Sequence, residues 1–332
     1  MVRVSQQLGG KAVRGMLWVV GLLAAMVLVA ALPVAFLKQP IRGRWVQSPD
    51  LRADPESLRR DVAFLTMRVF PRSVDHPEQQ ANAAAHIREA LAAAGARVAE
   101  QRYEFGGEEY RNIVGAFGPA GERPLIIGAH YDVFSNLPGA DDNASGVAGL
   151  LELGRILARH APPVPVELVA FANEEPPFFG TQGMGSWAHA GRIEKDRREI
   201  RGMISLEMIG YFTAEQPAPH LLLKLFYPRT GDFIAVAGRW GDYRLVRHVK
   251  KALLSAGQPT QAYAGPIMLG IDLSDHSSYW GHGYRAVMVT DTAFIRNPYY
   301  HTAQDTADRL DYDRMARVVE GVATAALHAD VL

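Results

Sequence analysis

Five short stretches set metal-ligating and acid–base side chains between apolar runs. They are GAHYD with His130 and Asp132, GADDNASG with Asp141 and Asp142, ANEE with Glu174 and Glu175, SLEMIGY with Glu207, and YYHTAQDT with His301 and Asp305. A metal-bound imidazole usually donates its other ring N–H to a carboxylate. One intervening residue in an extended chain puts His130 and Asp132 on the same face. Asp141 stands just ahead of a helical pattern, where a carboxylate with two oxygens can bridge two cations, while Asp142 or Asn143 suits the helix cap. Adjacent side chains on a strand diverge, so one of Glu174 and Glu175 can hold a metal while the other faces a water. Glu207 in an apolar strand is costly unless it is paired or ligates a cation. Singly, these motifs also read as an ordinary strand-end histidine, a cap in a turn and a solvated glutamate pair. Together they make two imidazoles, three carboxylates and a spare glutamate, the inventory for two zinc ions sharing one carboxylate.

Strands must deliver these groups. RVAEQRYEF (97–105), NIVGAFG (112–118), LIIGAHYD (125–132), VELVAFANEE (166–175), GMISLEMIGY (202–211), LLLKLFYP (221–228) and YRAVMVTDT (284–292) read as strands. Helical patterns fall at 77–96, at 144–160, in segments near 230–256, and at 311–330. Several strands are near-continuous apolar runs, as expected when both faces are buried. Strands separated by helices imply βαβ units, hence an α/β fold: a three-layer α/β/α sandwich with a mostly parallel mixed sheet. In such sheets functional groups gather at the carboxyl ends of strands. His130 and Asp132, Glu174 and Glu175, Glu207 and His301 follow that rule from four separate strand ends.

Composition narrows the classes. The chain has 332 residues, with 35 Lys plus Arg balanced by 35 Asp plus Glu, and no cysteine. The balance and the lack of a basic stripe argue against nucleic acid as a partner. Without cysteine there are no disulfides or thiolate ligands, which leaves His, Asp and Glu. No G-x-S-x-G elbow marks a serine hydrolase. Residues 16–37 carry no charge, and as a helix they would span about 33 Å, close to the apolar thickness of a bilayer. A cleaved signal peptide has a shorter apolar region, so the length favours one N-terminal transmembrane helix. The expected organisation is an N-terminal flank (1–15), an anchor (16–37), a polar linker (38–54) and one catalytic domain (55–332). Arg3, Lys11 and Arg14 before the apolar run and Lys38, Arg42 and Arg44 after it leave its orientation open.

The ordered series GAHYD, GADDNASG, NEE, SLEMIGY and YYHTAQDT resembles the M28 family of zinc aminopeptidases over roughly residues 75–330. The resemblance implies a zinc-peptidase fold and two zinc ions per chain. His130 and Glu207 would hold one ion, Glu175 and His301 the other, and Asp141 would bridge them. It makes Glu174 the general base, Asp132 the partner that orients His130, and Tyr300 a stabiliser of the tetrahedral intermediate. The substrate would be a peptide or small aminoacyl compound cut at its N-terminal bond. His276 and Trp280 in SDHSSYW, with Phe178 in PPFFGTQGMGS, are candidates for the substrate pocket. Many relatives have Asp where this chain has Glu207, and the segment after the glutamate pair is longer than in simpler members. The family and the anchor together place the catalytic domain outside the cytoplasm.

Rival readings remain at this level. A glutaminyl-cyclase-like transferase shares the fold and uses one zinc, but typically lacks the second Asp of GADDNASG. A carboxypeptidase-type relative would bind a substrate carboxylate through arginines such as Arg229, Arg239, Arg285 or Arg296. A non-enzymatic ectodomain would show broken ligands, and none is broken here.

Overall fold

The computed structural model describes residues 16–26, 39–48, 50–121, 123–218, 228–267 and 270–332. Among the described residues, eight strands form one sheet: β1 (Arg97–Phe105), β2 (Glu108–Phe117), β3 (Leu125–His130), β4 (Val166–Phe171), β5 (Gly202–Glu207), β6 (Ile234–Arg239), β7 (Thr260–Gly265) and β8 (Ala286–Thr290). Their spatial order is β1-β2-β4-β3-β5-β8-β6-β7. The central β4-β3-β5-β8 block is parallel. β1, β2 and β4 are joined antiparallel, and β6 runs antiparallel to β8 but parallel to β7. The sheet is therefore mixed, with its parallel strands at the centre, where the site lies.

Seven helices cover it: α1 (Pro55–Ala63), α2 (Pro77–Ala93), α3 (Gly146–Arg159), α4 (Gly185–Lys195), α5 (Tyr243–Ser255), α6 (His276–Gly281) and α7 (Tyr312–Leu327). The period-two alternation of a strand divides the apolar residues between two cores. Leu125, Ile127, Ala129, Leu168, Ala170, Ile204 and Leu206 pack beneath α1, α2, α3, α5 and α7. Ile126, Val169, Phe171, Met203 and Ala286 face the other way and meet Ala190, Ile193, Tyr279 and Trp280 of α4 and α6. All six residues of β3 and of β5 are buried, as central parallel strands require.

Several expectations need correction. Residues 234–239 are a strand, where the sequence suggested helix. IAVAGR is too short and apolar for periodicity to tell the two apart. β7 and α4 were not foreseen. The strand expected at 221–228 falls almost wholly outside the described residues. Of the apolar run 16–37, residues 16–26 are an exposed helix, and the rest lies outside the described residues. Among the described residues no helix is long and apolar enough to cross a membrane. The linker is also not loose. Trp45 stacks on His328 (ring centroids 4.4 Å, 4° between planes), and its N–H donates to Ser255 Oγ at 2.9 Å. Leu51 and Ala53 belong to the core.

Candidate metal centre

Abrupt turns set several of the ligand-bearing segments. Asn173, Met208 and His301 have φ of +57°, +50° and +54°, values uncommon for residues with a Cβ. Held by their surroundings, such residues cost about 1–3 kcal/mol each and recur at functional sites. The turns halt the strands, so Glu174, Glu175 and Glu207 point across the rim instead of along it. The Asp pair sits in a similar kink. Gly139 has φ +55°, and a Cβ there would lie 2.2 Å from Asp142 O, so only glycine fits. Asp142 and Asn143 then leave helical geometry before α3 begins.

Two clusters result. His130, Asp142 and Glu207 each offer one ligand atom within 4.8 Å of the others, and so do Asp142, Glu175 and His301. Asp142 Oδ1 is 3.5 Å from His130 Nε2, and Asp142 Oδ2 is 3.1 Å from His301 Nε2. Glu207 Oε2 is 3.4 Å from His130 Nε2, and Glu175 Oε1 is 3.3 Å from His301 Nε2. The bridging position expected for Asp141 is therefore occupied by Asp142. Asp141 turns away, with its oxygens accepting from Gly210 N–H (3.0 Å) and Asn297 Nδ2 (2.9 Å). Neighbouring side chains on this kinked segment diverge, so only one of the pair can face the cavity, and sequence alone did not say which. Asn143 takes the capping part, with Oδ1 accepting from Gly146 N–H at 3.1 Å.

The surroundings hold these groups in place. Asp132 Oδ1 lies 3.3 Å from His130 Nδ1, and the Asp132 carboxylate accepts the N–H groups of Glu174 (3.0 Å) and Glu175 (2.9 Å). It thus fixes the histidine and both glutamates. Asp305 accepts from the Asp141 and Asp142 N–H groups, and Ser274 Oγ donates to Glu207 Oε2 at 2.8 Å. Arg72 is fully buried and donates to the carbonyls of Leu65, Pro138 and Gly139. Burial lowers its pKa to about 10, against the pull of Asp132, Asp142, Asp305 and Glu175. Nothing in the residue pattern singles out Arg72. Asp305 was visible only as a polar residue near His301.

The charge of this arrangement suits a cation. Asp132, Asp142, Glu174, Glu175 and Glu207 are all buried, and buried like charges are costly unless compensated. Burial, then the neighbouring Asp142, pushes Glu175 up to about 8. Burial also raises Glu174, helped by Glu175 and Glu207 and opposed by His130. Burial lowers the His301 pKa, but the Asp142 and Glu175 carboxylates overcome it and lift the imidazole to about 10. Both Nε2 atoms and Glu175 Oε1 are buried without an aligned hydrogen bond. Unpartnered nitrogen and oxygen atoms converging at this spacing fit zinc, which takes His and carboxylate ligands.

Of the remaining predicted residues, Glu174 Oε2 is 3.9 Å from His130 Nε2. It reaches the cavity without joining either cluster. Tyr300 stacks on the His301 ring (3.8 Å, 16°), and Phe134 covers the other face (4.3 Å, 7°). The pocket expectation does not hold for His276 and Trp280. His276 is fully buried, its Nε2 2.6 Å from Ile271 O, and Trp280 Nε1 donates to Ala286 O inside the second core. An SDHSSYW stretch reads as polar and loop-like, yet α6 turns these rings inward. Phe178 packs against Phe105 and Tyr110.

Residues 112–326 match the description of peptidase family M28. The chain is 47% identical over 313 residues to the uncharacterized protein YfbL of Escherichia coli (strain K12), covering 89% of this chain and 94% of that one. It is 26% identical over 241 residues to leucine aminopeptidase 1 of Ajellomyces capsulatus (strain NAm1 / WU24), covering 67% of this chain and 56% of that one. It thus spans about half the length of such leucine aminopeptidases. Among solved structures, the Legionella pneumophila LapA aminopeptidase superposes with TM-score 0.67 at 19% identity, covering 87% of this chain and 76% of that one. A Bacteroides thetaiotaomicron glutaminyl cyclase superposes with TM-score 0.64 at 17% identity, covering 83% of this chain and 98% of that one. At these identities the two superpositions speak for the fold alone.

Proposed function

Because the chain belongs to peptidase family M28, we propose that this rim is the active site of a zinc-dependent aminopeptidase that hydrolyses N-terminal peptide bonds. The observation that carries the reading is Asp142 set between two His–carboxylate pairs. His130 and Glu207 would hold one zinc, Glu175 and His301 the second, and Asp142 would serve both. Zinc bound there would supply Lewis acidity, lowering the pKa of water and polarising the scissile carbonyl.

The chain's own groups do the rest. Glu174 is buried beside the clusters but belongs to neither, so its carboxylate is free to take a proton from the attacking water. It then passes that proton to the leaving amine. Asp132 holds Glu174 through its backbone N–H and orients His130 through Nδ1, keeping base and ligand in register. Tyr300, beside His301, can donate a hydrogen bond from its hydroxyl to the developing oxyanion. We also read residues 16–37 as a membrane anchor, on the strength of their unbroken apolar length, with the catalytic domain outside the cytoplasm.

The test is elemental analysis of the purified chain, with a panel of aminoacyl anilides run on the same sample. Two zinc per chain and release of the anilide support the reading. One zinc with pyroglutamate formed from N-terminal Gln would replace it with the cyclase chemistry.

A further inference from the structure

The strands of the sheet run between two ends, and the catalytic rim lies at one of them. The other carries a patch that catalysis does not use. β6 runs antiparallel to β8, with Ala235 opposite Thr290 and Ala237 opposite Met288. Because Thr290 pairs with Glu207 at the rim, Arg239 and the turn after it fall at the far edge, roughly 20 Å away for a six-residue strand. There Trp240 and Tyr243 are 51% and 42% exposed. Arg244 is exposed beside them, its Nε donating to Tyr243 Oη at 3.1 Å.

The chain enters the domain at this same edge. Arg247, in the first turns of α5, donates to Pro40 O at 2.8 Å. The Trp45 ring lies against His248 and His328, and Lys251 sits over it at 4.5 Å. Pro40 stands three residues beyond the end of the apolar run at 37, a reach of no more than about 11 Å. If 16–37 spans a bilayer, the α5 end of the domain is held at the headgroups. The residue types there match that setting, because Trp and Tyr favour membrane–water interfaces and arginine favours anionic headgroups. Arg42 and Arg44 are exposed on the strap itself. The acids at this end include Asp242, buried and turned to Arg239, and the exposed Asp330, with Glu194, Asp196 and Glu199 around the end of α4 drawn to His282, Arg192 and Arg123.

We propose that the edge around Trp240, Tyr243 and Arg244 rests on the surface of an anionic phospholipid bilayer, so that the catalytic rim faces the aqueous phase. The proposal rests on the anchoring reading above and adds an orientation to it. A flexible tether would let the rim tumble. A docked strap and an aromatic–basic edge fix it outward, toward soluble peptides.

The chain has no cysteine, so one introduced thiol reports one place. Gly241→Cys puts a fluorophore at the far edge, where a side chain has open space. Gln304→Cys puts one beside the rim. The full chain is placed in phosphatidylcholine discs with and without phosphatidylglycerol, and quenching by a headgroup nitroxide is read. Quenching is expected to be several-fold stronger at 241 than at 304, and to rise further with phosphatidylglycerol. Adding Trp240→Ala with Arg244→Glu should reduce it. Equal quenching at both positions, or stronger quenching at 304, in chain that stays with the discs would overturn the docking while leaving the anchor intact. Chain that separates from the discs on sizing would overturn the anchor and the docking together, without touching the peptidase reading.

Discussion

The two halves of the metal cradle are built differently. His130 is fully buried at the end of β3, and Glu207 ends β5 beside it, held by Ser274. His301 sits on a loop, its side chain 23% exposed, and its ring is kept in place by Phe134 and Tyr300. One half is fixed by the sheet and the other by ring stacking at an open mouth. Strand ends give a ligand little freedom, whereas a loop ligand can yield when substrate or product passes. The β3–β5 half should bind its ion more tightly and exchange it more slowly.

Glu174 lies between the halves and should separate holding from reacting. Glu174→Gln keeps the size and loses the base, so kcat should fall by about 10²–10⁴. Zinc content should stay at the wild-type value. Full turnover in this variant would remove Glu174 from its role, and zinc loss would make it a ligand.

The histidines test the comparison directly. His130→Ala leaves Asp132, Asp142 and Glu207 facing one another in a dry site, so it should destabilise the fold by about 3–5 kcal/mol, as breaking a buried pair does. His301→Ala opens onto solvent and should cost far less stability while lowering zinc content toward one ion per chain. Elemental analysis and thermal unfolding of both variants decide. Equal losses of stability would erase the distinction between the halves.

Chelation should expose the repulsion that the ions offset. Without metal, Glu175 is lifted to about 8 from 4.5 and Asp305 to about 7 from 3.8, in each case chiefly by burial. The folded state then binds more protons than the unfolded one between about pH 4 and 8, so stability falls as pH rises through that window. His301, lifted to about 10 from 6.5 by Asp142 and Glu175 against burial, adds a loss of the same sign at higher pH. Metal binding runs the other way, because ligands must shed protons. The Tm gap between loaded and chelated protein should therefore widen from pH 5 to pH 8. A gap that narrows would contradict this account of the site's charge.

Much of this was legible in the sequence, for a physical reason. Buried parallel strands announce themselves as apolar runs, and carboxylates or imidazoles at their ends have little reason to be there except chemistry. That logic found His130, Glu174, Glu175, Glu207 and His301. It chose the wrong member of the Asp pair, because the direction of a side chain in a kinked turn depends on Gly139 and on Asp305, a residue far along the chain. Arg72 was invisible because its partners are backbone carbonyls, which carry no sequence signature. His276 and Trp280 misled because polar spacing resembles a pocket even when a short helix buries it. β7 is hard to read because TQAYAG is not an apolar run, and β6 because IAVAGR leads almost directly into the strongly helical YRLVRHVKKALLS.

The smallest effect should come from Phe134, which supplies no ligand atom of its own. Its ring lies 4.3 Å from that of His301 and nearly parallel to it. Aromatic pairs are worth about 0.5–1.5 kcal/mol beyond burial. Phe134→Leu should therefore keep the fold and the first ion, and should weaken binding of the second by a few-fold to about tenfold. Stepwise zinc titration of chelated protein measures both affinities. If loop stacking is what sets the open half apart, only the weaker step moves. A shift in both steps would mean that Asp142 couples the halves so tightly that they act as one site.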